Sequence, residues 1–306
     1  MNLLTKPKLI VITGPTASGK TRLAACVAAQ CNGEIISADS RQVYRGMDQG
    51  TGKDLHDFMV GEYMVPYHLI DIVEPGYEYN VYEFQRNFAN AFNHIVKRKK
   101  MPILCGGTGL YIEAVLRAYP LQKVKPDPAL RQNLQKMTND ELEATLKQFR
   151  RLHNTTDTSH RDRLIRAIEI EIYQQNNHDN QDAFPEFTPL IFGVHFERQE
   201  IRMRITERLE RRLETGMIEE IQRLLKDNLS PEQLKFYGLE YKIITRYVIG
   251  EITYDEMFRS LNTSIHQFAK RQMTWFRRME RNGLPINWID GRLSMEEKAT
   301  LILEKL

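Results

Sequence analysis

Gly14-Pro15-Thr16-Ala17-Ser18-Gly19-Lys20-Thr21 has the residue types and the spacing of a phosphate-binding loop. Its glycines let backbone N–H groups close around phosphate oxygens, and the N-terminus of the following helix adds partial positive charge. Lys20 can bridge terminal phosphates, and the Thr21 hydroxyl can reach a bound Mg²⁺. A second polar cluster, Asp39-Ser40-Arg41-Gln42, brings a carboxylate. The pair points to a diphosphate site with an acid beside it. The loop alone leaves the diphosphate's owner open, since ATP, GTP or another diphosphate ester would fit. A nucleotide hydrolase usually adds an apolar strand ending in Asp. Met101-Pro102-Ile103-Leu104-Cys105 ends instead in Gly106-Gly107-Thr108, and Tyr67-His68-Leu69-Ile70-Asp71 is a weaker look-alike of that strand.

These groups need a scaffold. Lys8-Leu9-Ile10-Val11-Ile12-Thr13 reads as a buried strand, residues 20–29 as a helix, and Glu34-Ile35-Ile36-Ser37-Ala38 as a strand ending at Asp39. In an open parallel sheet the carboxyl ends of the strands share one edge, so Asp39, Thr108 and the glycine loop should converge there. Strands and amphipathic helices alternate up to about Leu116, the pattern of a doubly wound α/β sheet. Pro120, Pro126 and Pro128, then Pro185 and Pro189, bound a segment without strand-like alternation. Within it, residues 127–136, 140–150 and 161–174 read as helices and 174–182 as a polar loop. Leu190-Ile191-Phe192-Gly193-Val194-His195 resumes the sheet, and helices follow at 198–214, 218–226, 242–248, 254–279 and from Met295. The expected architecture is a P-loop-type parallel sheet core flanked by helices, residues 1–118 and 188–306, with an inserted all-helical domain at 119–187.

Composition fits this reading. The chain has 306 residues, of which 42% are hydrophobic and 27% charged, ordinary for a globular protein with a sizeable core. No apolar run is long enough to span a membrane and the N-terminus lacks a signal-peptide core, so a cytoplasmic protein without a membrane partner is expected. Cys26, Cys31 and Cys105 are too scattered for a disulfide framework or a zinc site. The net charge of +3 is small, but Arg259, Lys270, Arg271, Arg277, Arg278 and Arg281 face only Glu280 in their stretch. A solvated helix face accounts for such a run, whereas the interleaved Trp275 and Phe276 favour RNA contact. Arg204, Arg208 and Arg211 recur at helical spacing beside Ile201, Ile205, Leu209 and Leu213. Either one arginine points into the phosphate site, or they pair with Glu200, Glu207, Glu210 and Glu214. Arg163 and Arg166, with Leu164, Ile165 and Ile168 between and beside them, either edge a packing helix or meet a polyanion.

Four runs carry a resemblance to a family: the glycine loop; Ser37-Ala38-Asp39-Ser40-Arg41-Gln42-Val43-Tyr44-Arg45-Gly46-Met47-Asp48; Gly106-Gly107-Thr108-Gly109-Leu110-Tyr111; and Ala269-Lys270-Arg271-Gln272-Met273-Thr274-Trp275. In this order, across nearly the whole chain, they resemble the tRNA dimethylallyltransferases. The resemblance implies transfer of a dimethylallyl group from dimethylallyl diphosphate to N6 of adenosine 37 in tRNA, with Mg²⁺ and release of pyrophosphate. It also implies an insertion that grips the anticodon stem-loop. By resemblance, Asp39 is the general base, Thr108 contacts phosphate and tRNA, and Arg204 assists the departing pyrophosphate. Residues 14–21 bind the diphosphate and Thr21 the metal. Asp39, Ser40, Arg41, Gln42, Thr108, Arg131, Asp162, Arg163, Leu164, Ile165 and Arg166 match tRNA contacts. Two segments depart from the family pattern: Gly238-Leu239-Glu240-Tyr241-Lys242 stands where Gly-Tyr-Arg is common, and Gly52-Lys53-Asp54 where Ala-Lys-Pro is. A P-loop small-molecule kinase, a prenyltransferase of free adenine nucleotides and an RNA-binding NTPase are the alternatives, and a monomer is expected.

Overall fold

The computed structural model describes residues 6–149, 160–176 and 183–306. In β1 (Lys8–Thr13), Leu9 and Val11 pack into one apolar cluster and Ile10 and Ile12 into another, all four without exposed surface. A strand buried on both faces belongs inside a parallel sheet with helices on each side. The chain continues through α1 (Lys20–Gln30), β2 (Gly33–Ser37), a 3₁₀ turn (Leu55–Phe58), the hairpin β3 (Met59–Val60) and β4 (Tyr63–Met64), β5 (Tyr67–His68), α2 (Val81–Lys97), β6 (Met101–Gly106) and α3 (Gly109–Leu116). Next come α4 (Pro128–Leu134), α5 (Asn139–Phe149), α6 (Arg161–Asn176), β7 (Thr188–His195), α7 (Arg198–Glu214), α8 (Met217–Lys226) and α9 (Pro231–Phe236). The chain finishes with α10 (Leu239–Val248), α11 (Tyr254–Arg281), β8 (Asn287–Asp290) and α12 (Met295–Leu303).

Six strands form one sheet in the order β5-β2-β6-β1-β7-β8, with every pairing parallel. Thr13 lies beside Gly106 and Gly193, and Ser37 beside Cys105, so the turns after β1, β2 and β6 open at one edge. From β1 the chain crosses to β2 on one side and later returns to β7 on the other. That makes β1 the topological switch point, where open α/β sheets bind ligands.

α1 and α12 build the core on one face, and α2, α3 and the end of α11 build it on the other. A third cluster joins α7, α8, α10 and α11 to Val43, Tyr44 and Met47 in the turn after β2. Helix starts are marked locally: Asn80 with Glu83, Ser230 with Gln233, Thr253 with Glu256 and Ser294 with Glu297 form capping boxes. The hydrolase-strand look-alike is not one. Only Tyr67–His68 is strand, Leu69 and Asp71 turn into positive φ (64° and 55°), and Asp71 pairs with the buried Lys53. β8 and α9, too short to carry a period, were absent from the sequence expectation.

The chain divides into two compact units, Met1–Ala118 with Phe184–Leu306, and Tyr119–Ala183. Among its described residues the second unit contains only helices, closed over Leu134, Leu142, Leu146, Leu164, Ile165 and Ile168. Arg161 donates to the carbonyls of Gln135 at 2.8 Å and Met137 at 2.5 Å, which satisfies the C-terminal end of α4. The expected helix at 140–150 is α5, with Arg150 outside the described residues. Of the expected polar loop at 174–182, α6 takes the part through Asn176 and the remainder lies outside them. Among the described residues no helix is long and apolar enough to cross a membrane.

Candidate active site

Gly19 turns the chain into α1 at φ 76°, and the first turn of that helix holds no acid to cancel its N-terminal charge. Lys20 folds back over the loop, its Nζ donating to the Pro15 carbonyl at 3.3 Å. Burial lowers the pKa of its ammonium, reinforced by Arg208 and opposed by Cys105, Asp39 and Asp57. The Ser18 hydroxyl is buried and has no hydrogen-bond partner among the described residues. A buried hydroxyl left unpaired is costly unless a ligand meets it, and a phosphate oxygen in this loop would do so.

The ends of β2 and β6 are tied together. Thr108 N–H donates to the Ala38 carbonyl at 3.2 Å, and Ser40 N–H donates to Thr108 Oγ1 at 3.1 Å. Asp39 Oδ1 accepts from the backbone N–H of Arg41 at 2.8 Å and of Gln42 at 3.4 Å. Its Oδ2 has no partner among the described residues. One oxygen thus fixes the carboxylate in the turn, and the other remains available in the cleft that Asp39 lines.

α7 brings Arg204 and Arg208 to the loop and not to its own glutamates, and Arg211 to the cleft lining. Arg204 Nε donates to the Ala17 carbonyl at 3.1 Å, and its guanidinium lies 4.5 Å from the Phe196 ring centre. One turn on, Arg208 donates to Thr16 Oγ1 at 3.2 Å and to Asp54 at 2.6 Å. Arg212, a further turn along, also reaches Asp54, and its Nε is buried without a partner among the described residues. Burial would raise the pKa of Asp54, but Arg212 and Arg208 outweigh it and hold the carboxyl below its ordinary range. Asp57 moves the other way, raised by burial and then by Asp54.

The wall carrying Asp54 is anchored from α8. Glu220 accepts the backbone N–H groups of Asp48 and Gln49 at 2.8 Å and of Gly50 at 3.0 Å, and Tyr241 donates to it at 2.6 Å. Burial and then Glu220 push the Tyr241 phenol well above its ordinary pKa. Lys53, buried, reaches Asp48, Asp71 and the Tyr44 carbonyl. Both segments that depart from the family pattern therefore shape this wall. The half-open cleft measures about 1130 Å³, above the roughly 300–1,000 Å³ of a single small-ligand pocket.

Residues 42–279 match the family model described as IPP transferase. The chain is 54% identical over 298 residues to tRNA dimethylallyltransferase 2 of Bacteroides fragilis, covering 97% of both proteins. The chain belongs to the IPP transferase family. It is also 52% identical to tRNA dimethylallyltransferase 2 of Phocaeicola vulgatus, over 98% of each. Among solved structures, the full-length tRNA isopentenylpyrophosphate transferase of Bacillus halodurans superposes with a TM-score of 0.71 at 31% identity, covering 98% of this chain and 95% of that one.

Of the two aromatic side chains of this IPP transferase that the sequence singled out, Trp275 is half-buried on the cleft lining and Phe276 is not part of it. Phe276 has no exposed surface and belongs to the core. Trp275 packs so tightly on α3 that a Cβ on Gly109 would stand 2.4 Å from its ring, and Arg278 covers the ring at 4.1 Å while pairing with Glu113. The exposed rings lining the cleft are Phe236 and Phe268, 52% and 38% exposed. Arg41 lies over Phe236 at 5.7 Å, and Arg271 and Lys242 stand exposed nearby on the cleft lining.

In the helical unit, Asp162 and Arg163 are exposed, whereas Leu164 and Ile165 are buried in the small core. Arg131 grips Glu169 with two hydrogen bonds, at 3.0 and 2.8 Å, and Arg166 pairs with the same carboxylate while donating to the Val124 carbonyl at 2.7 Å. Sequence reasoning named Arg208 among the arginines that could enter the site, but missed Arg212, Asp54, Glu220 and the two exposed phenylalanines. The i, i+4 row of Arg204, Arg208 and Arg212 was a usable signal, since it follows the helix more closely than the row ending at Arg211.

Proposed function

We propose that this IPP transferase moves a dimethylallyl group from dimethylallyl diphosphate to N6 of adenosine 37 in tRNA. The observation that carries this reading is the meeting, in one cleft, of a diphosphate loop and a fixed carboxylate with one oxygen to spare. The allylic C–O bond breaks with its electron pair leaving on pyrophosphate, the N6 lone pair forms the new C–N bond, and the N6 proton passes to Asp39 Oδ2. Loop N–H groups, Lys20, Arg204 and Arg208 receive the charge that develops on the leaving group. An amine conjugated with a purine is a weak nucleophile, and a carboxylate at hydrogen-bond distance offsets this.

Among the described residues no group of three or more His, Cys, Asp or Glu could hold a metal unaided. That donor set suits Mg²⁺ held chiefly by substrate phosphates and water with one protein oxygen, from Thr21. When bound, the ion would neutralise diphosphate charge.

A base stacked in a loop cannot reach a site at a sheet edge, so adenosine 37 is flipped out to react. Residues 39–42 and Thr108 contact the flipped nucleotide, Phe236 and Phe268 offer faces to its neighbours, and exposed cations fix phosphates. The insertion grips the anticodon stem-loop, with Arg163 as an exposed cation and Arg131 and Arg166 acting through the ordered surface around Glu169. The enzyme works in the cytoplasm, as a monomer.

The test is incubation with Mg²⁺, labelled dimethylallyl diphosphate and unmodified tRNA, followed by nucleoside analysis. Label in N6-dimethylallyladenosine at position 37 is expected. Label in free AMP, or ATP turnover without transfer, would overturn the reading.

A further inference from the structure

α11 buries a stripe of Met257, Leu261, Ile265, Ala269, Phe276 and Met279, and Gln272 is its polar member. A carboxamide among apolar neighbours needs its hydrogen bonds satisfied, and here both go to backbone. Oε1 accepts the Thr16 N–H at 2.8 Å, and Nε2 donates to the Gly107 carbonyl at 2.9 Å. The fit is close: a Cβ on Gly107 would stand 2.4 Å from Nε2. Thr16 belongs to the glycine loop after β1, and Gly107 to the turn after β6 that carries Thr108. One side chain therefore joins the two halves of the cleft, from a helix that belongs to neither.

We infer that Gln272 is a positioning residue for transfer, setting the distance between the donor's diphosphate and the Asp39–Thr108 end where the amine is held. This rests on the proposed use of the loop for a prenyl diphosphate. Other groups also hold the loop: Arg208 through Thr16 Oγ1, and Arg204 through the Ala17 carbonyl. Neither reaches the β6 turn with these bonds; the Thr13 hydroxyl does donate to the Gly106 carbonyl at 3.1 Å, but from the end of β1, before the loop begins. Without the carboxamide, the donor still meets Lys20 and the helix N-terminus, but the loop can drift relative to the acceptor. A misplacement of about 1 Å at reacting atoms is worth on the order of 10²-fold in rate. The defect therefore belongs in kcat and not in either KM.

The link also has a direction, because Thr16 requires an acceptor and Gly107 a donor. Gln272→Glu supplies both only when protonated; ionised, it sets a carboxylate oxygen against the Gly107 carbonyl. Lys20 passes this point, its Cε 3.5 Å from where a Gly107 Cβ would stand, Arg271 is the neighbouring cation on α11, and Asp39 is the acid at the cleft end. Ratios to the wild-type enzyme at each pH remove the titrations that those groups and the donor phosphates contribute.

The experiment measures kcat, both KM values and the thermal midpoint for wild type, Gln272→Ala and Gln272→Glu between pH 5 and 8. Gln272→Ala is expected to lower kcat by about 10- to 100-fold, with each KM within a few-fold. The kcat of Gln272→Glu relative to wild type is expected to rise as pH falls. A kcat for Gln272→Ala within about threefold of wild type, or a flat pH ratio for the Glu variant, would overturn the assignment. So would losses that track the thermal midpoint, or failure of both variants to fold, since either reduces Gln272 to a structural residue. Absence of transfer by the wild-type enzyme would instead overturn the proposed function.

Discussion

The carboxylate of Asp39 commits one oxygen to the turn that follows it and leaves the other in the cleft, so its removal should affect chemistry before binding. Asp39→Ala is expected to reduce single-turnover transfer by ~10²- to 10⁴-fold, with equilibrium binding of tRNA within a few-fold. Unchanged turnover would exclude the base role. Phe236→Ala tests the exposed ring under Arg41. If Phe236 stacks a base, worth about 1–3 kcal/mol, the KM for tRNA should rise roughly tenfold or more while that for the donor stays put. Asp39, Thr108 and the glycine loop were legible because each directly follows an apolar strand, and strand ends in a parallel sheet share an edge. Glu220 was not legible. It binds the backbone of residues 48–50, about 170 positions away, and nothing around it in α8 marks that partner.

Among the elements, long amphipathic helices were read closely: α7 spans the residues expected from its apolar row, and α11 runs two residues beyond its expected end. The basic face of α11 was read correctly as exposed at Lys270, Arg271 and Arg277, but Phe276 was misjudged, since it lies in the core. Burial of Phe276 depends on the sheet face beneath it, which composition does not reveal. Within the helical unit, Glu169 ties α6 to Arg131 and to the Asp127 N–H at the start of α4. Its burial favours the neutral acid, but hydrogen bonds from Arg131, Asp127 and Arg166 outweigh that and hold its pKa at about 2, below the ordinary 4.5. A depressed carboxyl pKa stabilises the fold above 4.5, and that contribution is lost as pH falls toward 2. The shift corresponds to something on the order of 3 kcal/mol. Glu169→Gln should therefore destabilise this unit at pH 7 and flatten its acid unfolding between pH 4.5 and 2, followed by amide hydrogen exchange. An unchanged acid profile would show that another group governs it.

On the scale of the whole molecule, tRNA binding should be mainly ionic and should weaken as salt rises. Arg163→Glu is the clean probe of the insertion, since Arg163 is exposed while Arg166 holds Glu169 and the Val124 carbonyl. The variant is expected to raise the KM for tRNA several-fold and to leave that for dimethylallyl diphosphate unchanged. Equal rises would indicate damaged folding. The central position of β1 has a further consequence, in the order of assembly. Its two neighbours arrive late: Ile10 pairs with Ile103 and with Leu190, so one partner strand is synthesised about 90 residues after β1 and the other about 180. Contacts so distant in sequence close slowly, whereas those among α4, α5 and α6 are local and form early. A nascent chain emerging from the ribosome would thus carry a finished helical unit on an unfinished sheet, its apolar β1 edge bare until β7 appears, and this interval is when the enzyme most needs protection from aggregation.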